Sequence, residues 1–378
     1  MKQKLLFVVN DMSFFCSHRL PIAERAVEEN FEVAVACPTS DDKLAFLKDV
    51  GITHFPIDLN RGGTNPFREV KTSLSIFHLI RNYKPTIVHL ITAKPILYGG
   101  IGTRLLGIPS LAAFTGMGAV FTHSTLKLRI LQQLVISLYK LALNRDNSFV
   151  LFQNPEDLES AKSKGIISRS KFGLIPGSGV DLEKISATPL PSGPPVALLP
   201  ARMLKDKGVC EFVEAARILK SMGVKATFRL LGNPDPDNPS SIQEDQLHEW
   251  TREGIVEWRP YTSDIGGELS QCHLVVLPSY REGFPKSLID AAAAGRACVA
   301  SNVTGCKHAV IDGITGKLFP PRDGVALAAA LVDLIQDKPK LKTMGDSARK
   351  LAEERYDIQM VLERHMSIYK DLCKPSRF

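Results

Sequence analysis

"PGSGVDLEKISATPLPSGPP", residues 176–195, decides how the chain divides. It is crowded with Gly, Pro and Ser and has no apolar period, the composition of a connection. The same pattern runs on both sides of it. Before it, apolar stretches at 4–9 (KLLFVV), 31–36 (FEVAVA), 53–57 (THFPI), 86–90 (TIVHL), 109–113 (PSLAA) and 148–152 (SFVLF) read as strands. Helix-length segments such as 66–83, 94–106 and 125–145 lie between them. After it the alternation restarts with strands at 196–201 (VALLPA), 226–231 (ATFRLL), 255–258 (IVEW), 273–277 (HLVVL) and 297–301 (ACVAS). Helices are predicted at 207–221, 239–252, 284–294, 322–336, 341–354 and 357–372. Such alternation predicts parallel sheets with helices on both faces. The expectation is an α/β chain of two doubly wound domains, 1–176 and 196–356, with a linker at 177–195 and a helix in 357–378 returning to the first domain. A length of 378 residues suits two cores better than one. Two sheets of this kind, facing one another, take a ligand in the cleft at their carboxyl ends.

Several classes of function fall away on composition. The N-terminal apolar run "LLFVV" is too short for a signal or a membrane span, and no stretch has eighteen uncharged apolar residues. A cytosolic or peripheral protein is expected. The seven cysteines (16, 37, 210, 272, 298, 306 and 373) form no C-x-x-C pair, which predicts reduced thiols and no zinc site. "NDMSFFCSHRLP", after the first strand, contains no glycine, so no G-x-G-x-x-G supports a nicotinamide dehydrogenase. Residues 1–177 hold 21 Lys and Arg against 14 Asp and Glu, whereas 178–378 hold 26 of each. The whole net charge of +7 therefore sits in the first half, which should favour an acidic partner. No nucleic-acid motif accompanies it, and nucleic acid is not expected.

Candidate chemistry concentrates in the second half. In "ARMLKDKG" (201–208), Arg202 and Lys207 flank a loop at a strand end, two cations suited to a diphosphate. Taken alone, ordinary solvated charge explains them equally well. In "SYREGFPKSLIDAAAAGRACVAS" (279–301), Gly283 allows close backbone approach and Pro285 suits a first helical turn. The amides of that helix start would form an anion site. Glu282 and Asp290 stand at its two ends, where sugar and ribose hydroxyls could be held. Alone, a solvated Glu and a surface Asp would be the commoner explanation.

The combination of Arg202, Lys207 and "EGFPKSLID" resembles the donor site of retaining glycosyltransferases of family 4, which have the GT-B fold. That resemblance implies that Arg202 and Lys207 bind the donor diphosphate, Glu282 contacts the donor sugar and Asp290 holds the ribose. The second acid is usually Glu; here it is Asp, one methylene shorter. "LLGNPDPDN" (230–238), with Gly232, resembles the loop bordering the donor, and "VEWRPYTSDI" (256–265), with Arg259 and Pro260, the segment that holds the base. Phe284, Ser287 and Leu288 complete the implied donor set. "PGSGVDLEKI" resembles the family's hinge motif without its usual Asn.

"FFCSHRLPIA" (14–23), "IVHLITAKPILYGGIGTRLLGIP" (87–109) and "AAFTGMGAVFT" (112–122) resemble bacterial members that extend sugars on undecaprenyl diphosphate, typically adding an N-acetylhexosamine such as N-acetylgalactosamine. On that resemblance Ser13, Phe14, His18, Arg19, Lys94, Thr115 and Gly116 are expected to bind a polyprenyl-diphosphate-linked acceptor, with His123 also near it. His89 reads as structural. The "FTGMG" loop lacks the His that many relatives carry. The implied enzyme is a UDP-sugar-dependent retaining hexosyltransferase, peripheral on the inner face of the cytoplasmic membrane. Segment 125–145, with Lys127, Arg129, Lys140 and Arg145, is either an amphipathic helix on an anionic membrane surface or a packed helix with snorkelling cations. No Asp-x-Asp motif is expected at a strand end, and the two cations would do a metal's work, so no metal cofactor is expected. A non-catalytic UDP-sugar-binding module and a GT-B epimerase of UDP-sugars are the alternatives.

Overall fold

A computed structural model describes residues 2–59, 65–116 and 126–374, without the side chains of 41, 42 and 126–128. His123 and the end of the FTGMG loop lie outside the described residues, as does the Lys127 side chain. The chain forms two compact units, Met1–Ser178 with Val361–Phe378, and Gly179–Met360.

Among the described residues the first unit holds seven parallel strands: β1 (Lys4–Val8), β2 (Glu32–Cys37), β3 (Thr53–Pro56), β4 (Ile87–Ile91), β5 (Ser110–Ala113), β6 (Ser148–Phe152) and β7 (Lys171–Leu174). Their order is β3-β2-β1-β4-β5-β6-β7, with Leu6 of β1 opposite both Ala34 and Val88. The central strands are apolar runs because both their faces are buried. Helices α1 (Met12–His18), α2 (Leu20–Glu28) and α3 (Asp41–Asp49) lead the chain towards β3. The connections through α4 (Pro66–Tyr83), α5 (Ala93–Leu105), α6 (Leu126–Leu143) and α7 (Pro155–Ser163) run the other way. Right-handed crossovers therefore put α4–α6 on the opposite face from α1–α3. Glycines let α5 lie close: a Cβ on Gly99 would stand 2.3 Å from a Leu90 methyl, and one on Gly100 2.8 Å from Ala142 Cβ. Helix α15 (Ile358–Cys373) packs on this sheet, where the Tyr369 hydroxyl shares a 2.7 Å hydrogen bond with Nδ1 of His89. Burial holds His89 well below the usual imidazole value, which fits a neutral structural ring.

The second unit holds a parallel sheet of β8 (Val196–Pro200), β9 (Thr227–Leu231), β10 (Glu257–Arg259), β11 (Leu274–Leu277), β12 (Ala297–Ser301) and β13 (Gly316–Phe319), ordered β10-β9-β8-β11-β12-β13. Helices α8 (Val209–Ser221), α9 (Glu244–Arg252), α10 (Ile265–Ser270), α11 (Lys286–Ala293), α12 (Thr304–Ala309), α13 (Gly324–Ile335) and α14 (Lys338–Arg355) cover it. The edge strands β7 and β13, "KFGL" and "GKLF", were not anticipated from sequence. They are short and lack the buried apolar run of an inner strand.

Residues 179–195 group with the second unit and are tied to it by Arg296. This arginine is fully buried and donates to the Thr188 carbonyl (2.6 Å), the Thr188 hydroxyl (2.5 Å) and the Pro189 carbonyl (3.2 Å), as well as to Leu269 O (2.9 Å). A buried guanidinium is tolerated when its donors are satisfied, here by neutral oxygens. Arg296→Ala should lower the stability of this unit by about 3 kcal/mol or more, through orphaned carbonyls and a cavity. Both tryptophans, Trp250 and Trp258, lie in this unit, so tryptophan fluorescence during urea unfolding measures it. An unchanged midpoint would show that Arg296 does not secure the segment.

Candidate functional site

The strand order of the second sheet reverses between β8 and β11. Loops leaving in opposite directions open a crevice at such a point, at the carboxyl ends of the strands. The loop after β8 carries Arg202 and Lys207, and the loop after β11 carries Glu282. Lys207 Nζ lies 2.5 Å from Glu282 Oε1, and Ser279 Oγ donates to the same oxygen at 2.6 Å. The Tyr280 amide donates to the Asp206 carbonyl at 2.9 Å, a second link between the two loops. Gly208 turns the first loop at φ +73°, where a Cβ would stand 2.2 Å from the Pro278 carbonyl oxygen. Only glycine fits that approach. Gly305 of α12 performs the same service behind Glu282: a Cβ there would meet the Glu282 carbonyl carbon and oxygen at 2.7 Å.

Helix α11 begins directly after this bend. Pro285 is its N-cap residue, and no side chain caps the helix, so its first amides have no side-chain acceptor. Asp290 is 5% exposed, and its Oδ1 accepts from Lys286 Nζ at 2.6 Å. Burial raises its carboxyl above the ordinary value, while Lys286 opposes the shift. Phe284 and Leu288 differ from the expectation as side chains. Both are buried in the core: Phe284, in the bend before α11, packs edge-on to Tyr356 at 5.6 Å, and Leu288 is on the inward side of the helix. Their backbone alone is left for a ligand. Ser287 is half-buried in the first turn.

Gly232, after β9, has φ +143°, and a Cβ would lie 2.0 Å from the Ala201 carbonyl oxygen. Its amide donates to the Arg259 carbonyl at 3.0 Å, so the ends of β8, β9 and β10 are laced together. The Arg259 guanidinium is directed to Glu268, at 3.2 and 3.3 Å, and Pro260 is exposed beside it. Arg202 pairs with Asp235. Sequence reading missed Asp235, Ser279, Lys286 and Glu268. Lys286 had a signal, four residues before Asp290 on a helix. Asp235 stands 33 residues from its partner Arg202, and no local spacing links the two. It opens an Asp-x-Asp, Asp235-Pro236-Asp237, in the loop leaving β9, a departure from the expectation that no such motif stands at a strand end. Among the described residues no group of three or more His, Cys, Asp or Glu could hold a metal ion.

The first sheet reverses between β1 and β4. Ser13, Phe14 and His18 lie on α1 after β1; Asp11 caps that helix at 2.6 Å from the Phe14 amide. The Phe14 and His18 rings stack at 4.4 Å. Lys94 is in the first turn of α5, 2.7 Å from Glu69, and Thr115 and Gly116 follow β5. These residues share one edge of three neighbouring strands. Arg19 does not join them, which corrects the expectation. It sits at the turn between α1 and α2, 2% exposed, and its charge bears on Tyr369, His89 and His365. Burial lowers its value to about 10, so it remains a cation in the core. Arg145 is also buried, donating to the Thr103 and Ser110 hydroxyls at 2.8 Å. It is therefore no part of an outward basic face.

A model of the Glycosyl transferase 4-like family matches residues 4–154, and one of Glycosyl transferases group 1 matches 194–337. The chain is 28% identical over 94% of its length, and 95% of the relative's, to the N,N'-diacetylbacillosaminyl-diphospho-undecaprenol alpha-1,3-N-acetylgalactosaminyltransferase of Campylobacter jejuni. It is 24% identical, over 91% of its length and 90% of the relative's, to the UDP-Gal:alpha-D-GlcNAc-diphosphoundecaprenol alpha-1,3-galactosyltransferase of Escherichia coli. Among solved structures it resembles sucrose-phosphate synthase from Thermosynechococcus elongatus, with a TM-score of 0.78, 17% identity and coverage of 98% of this chain and 99% of that one. Anabaena HepE in complex with UDP and glucose gives 0.77, 17% identity, 97% and 99%. The matched models fall one on each parallel-sheet unit, and the architecture is shared almost end to end: the chain belongs to glycosyltransferase family 4, with the GT-B fold.

Proposed function

We propose that the chain moves a sugar, an N-acetylhexosamine such as N-acetylgalactosamine, from a UDP-sugar to a sugar carried on a polyprenyl diphosphate, with retention at the anomeric carbon. The contact of Lys207 with Glu282 carries this reading. It sets a cation suited to the departing diphosphate beside an acid suited to the donor sugar, at the switch point of a doubly wound sheet. The names of the Campylobacter and Escherichia relatives support an undecaprenyl-linked acceptor, and the HepE complex with UDP supports the donor class.

In this mechanism the acceptor hydroxyl attacks the anomeric carbon from the face that UDP leaves. The bond from that carbon to the phosphate oxygen breaks as the new glycosidic bond forms, and the departing diphosphate takes the hydroxyl proton. Arg202, Lys207 and the first amides of α11 stabilise the charge that develops, a preorganised electrostatic effect. Two oriented cations do the work a metal ion would do, so transfer should survive chelation. Asp290 holds the ribose, and Gly232 with the backbone at Arg259 and Pro260 borders the base. Ser13, Phe14, His18, Lys94, Thr115 and Gly116 receive the acceptor. An acceptor with a polyprenyl tail places the enzyme at the inner face of the cytoplasmic membrane.

The deciding experiment measures UDP release from a panel of UDP-sugars in chelator, with and without an undecaprenyl-diphosphate-linked N-acetyl sugar. Release that depends on the acceptor and on one donor is expected. UDP binding without release to any acceptor would favour a binding module. Lys207→Ala should lower turnover about a hundredfold or more, the scale of one lost transition-state donor; an unchanged rate would remove its role.

Asp290 also carries a pH signature. Its carboxyl is raised by burial, so ionising it is harder in the folded chain than in the unfolded one. That penalty is absent below about pH 4, grows as pH rises towards the folded value and persists above it. Asp290→Asn should therefore gain stability relative to the wild type as pH rises from 4 to 7, while UDP affinity falls about tenfold with the lost ribose contact. Melting curves and UDP titration check the two halves separately.

A further inference from the structure

Helices α4 and α6 flank α5 on one face of the first unit, and both leave apolar side chains in solvent. On α4, Phe67 is 88% exposed, Val70 60% and Leu74 52%, at a spacing that sets them in one stripe. On α6, Ile130, Leu134 and Leu141 are exposed at the same period. Between residues 66 and 143 the sequence has nine lysines and arginines (68, 71, 81, 84, 94, 104, 127, 129 and 140) and one acid, Glu69. That acid is withdrawn from the outer surface, bonded to Lys94 and to the Tyr98 hydroxyl. The exposed Arg68 and Lys71 border the stripe.

We propose that the α4 stripe, Phe67–Val70–Leu74 with Arg68 and Lys71, is the seat of this unit on an anionic phospholipid surface. Exposed apolar residues at helical spacing enter the headgroup boundary, and cations beside them meet lipid phosphates. The absence of any outward acid on these three helices selects an anionic surface over a zwitterionic one. Position adds a reason. The Glu69–Lys94 contact ties the first turn of α4 to the first turn of α5, where β4 ends at the switch point. The stripe thus begins beside the edge that carries Lys94, where a membrane-borne acceptor would be presented. Among the described residues no helix is long and apolar enough to cross a membrane, so attachment of this kind would be interfacial. The choice of a lipid surface rests on the proposed lipid-linked acceptor.

The test is co-sedimentation of the full chain with vesicles of phosphatidylcholine, alone or with about one-third phosphatidylglycerol, at low and high salt. The wild type should bind the anionic vesicles, at least tenfold more weakly at high salt. The triple variant Phe67→Ser/Val70→Ser/Leu74→Ser and the pair Arg68→Glu/Lys71→Glu should each lose at least tenfold in binding while melting like the wild type. Ile130→Ser/Leu134→Ser should lose less. Absence of binding by the wild type, equal binding by the α4 variants, or a dimer that the triple variant abolishes without any vesicle binding would each overturn the proposal. Transfer to a short-chain, water-soluble prenyl-diphosphate acceptor separates the two readings. The triple variant should match the wild type there. If the wild type transfers nothing to either acceptor, the functional reading fails, and the vesicle result still decides this one.

Discussion

Lys207 and Glu282 are 75 residues apart in sequence and 2.5 Å apart in the folded chain. Much of the second unit serves to make that contact. A parallel sheet whose order reverses between β8 and β11 brings the two loops side by side, although β9 and β10 intervene in the chain. Gly208 permits the first loop to pass against the Pro278 carbonyl, and Gly305 lets α12 close up behind Glu282. In each place a methyl group would meet backbone, which cannot move aside as a flexible side chain can. The ion pair is largely buried, with 24% and 11% of the two side chains open, and the cost of taking both charges out of water offsets much of their attraction. Its importance is geometric.

The same logic explains the alanines of α11. Ala291, Ala292 and Ala293 are buried, and the helix lies between the sheet and α14. Close packing continues at its end, where a Cβ on Gly345 would stand 2.3 Å from the Gly295 carbonyl oxygen. Arg349 of α14 donates to the Ala293 carbonyl at 2.6 Å, satisfying one of the acceptors that a helix end leaves open. A helix held from behind in this way keeps its first turn fixed relative to Glu282. Larger residues at 291–293 would lift the helix off the sheet and carry that turn with it.

The inner strands were legible because burial on both faces writes an unbroken apolar run, as in "LLFVV" and "LVVL". β7 and β13 were not, since an edge strand needs no such run. Loop positions of the candidate residues were legible too, because strand ends can be found and the loops follow them. Side-chain direction was not. Arg19 and Lys94 are both cations after central strands, yet one is in the core and the other pairs with Glu69. Nothing local separates them; the charge of Arg19 is felt by Tyr369 and His365 of α15, more than 300 residues further on, a neighbourhood that no local pattern displays. Asp235 escaped for the same reason. Its partner is set by the β8–β9 register, which a single sequence does not display.

Both cations assigned to the donor diphosphate are bonded to acids of their own chain, Arg202 to Asp235 and Lys207 to Glu282. Under the proposed roles this arrangement has a purpose. A long side chain at a loop loses rotamer freedom when it binds, and a carboxylate that already holds it has met part of that entropy. The diphosphate carries more charge than a single carboxylate and therefore competes well for the same cations. The acids need not leave: Glu282 also accepts from Ser279, so its position does not depend on Lys207 alone. The protein thus keeps two cations oriented without fixing them permanently, and the acid that orients one of them is the acid proposed to meet the sugar.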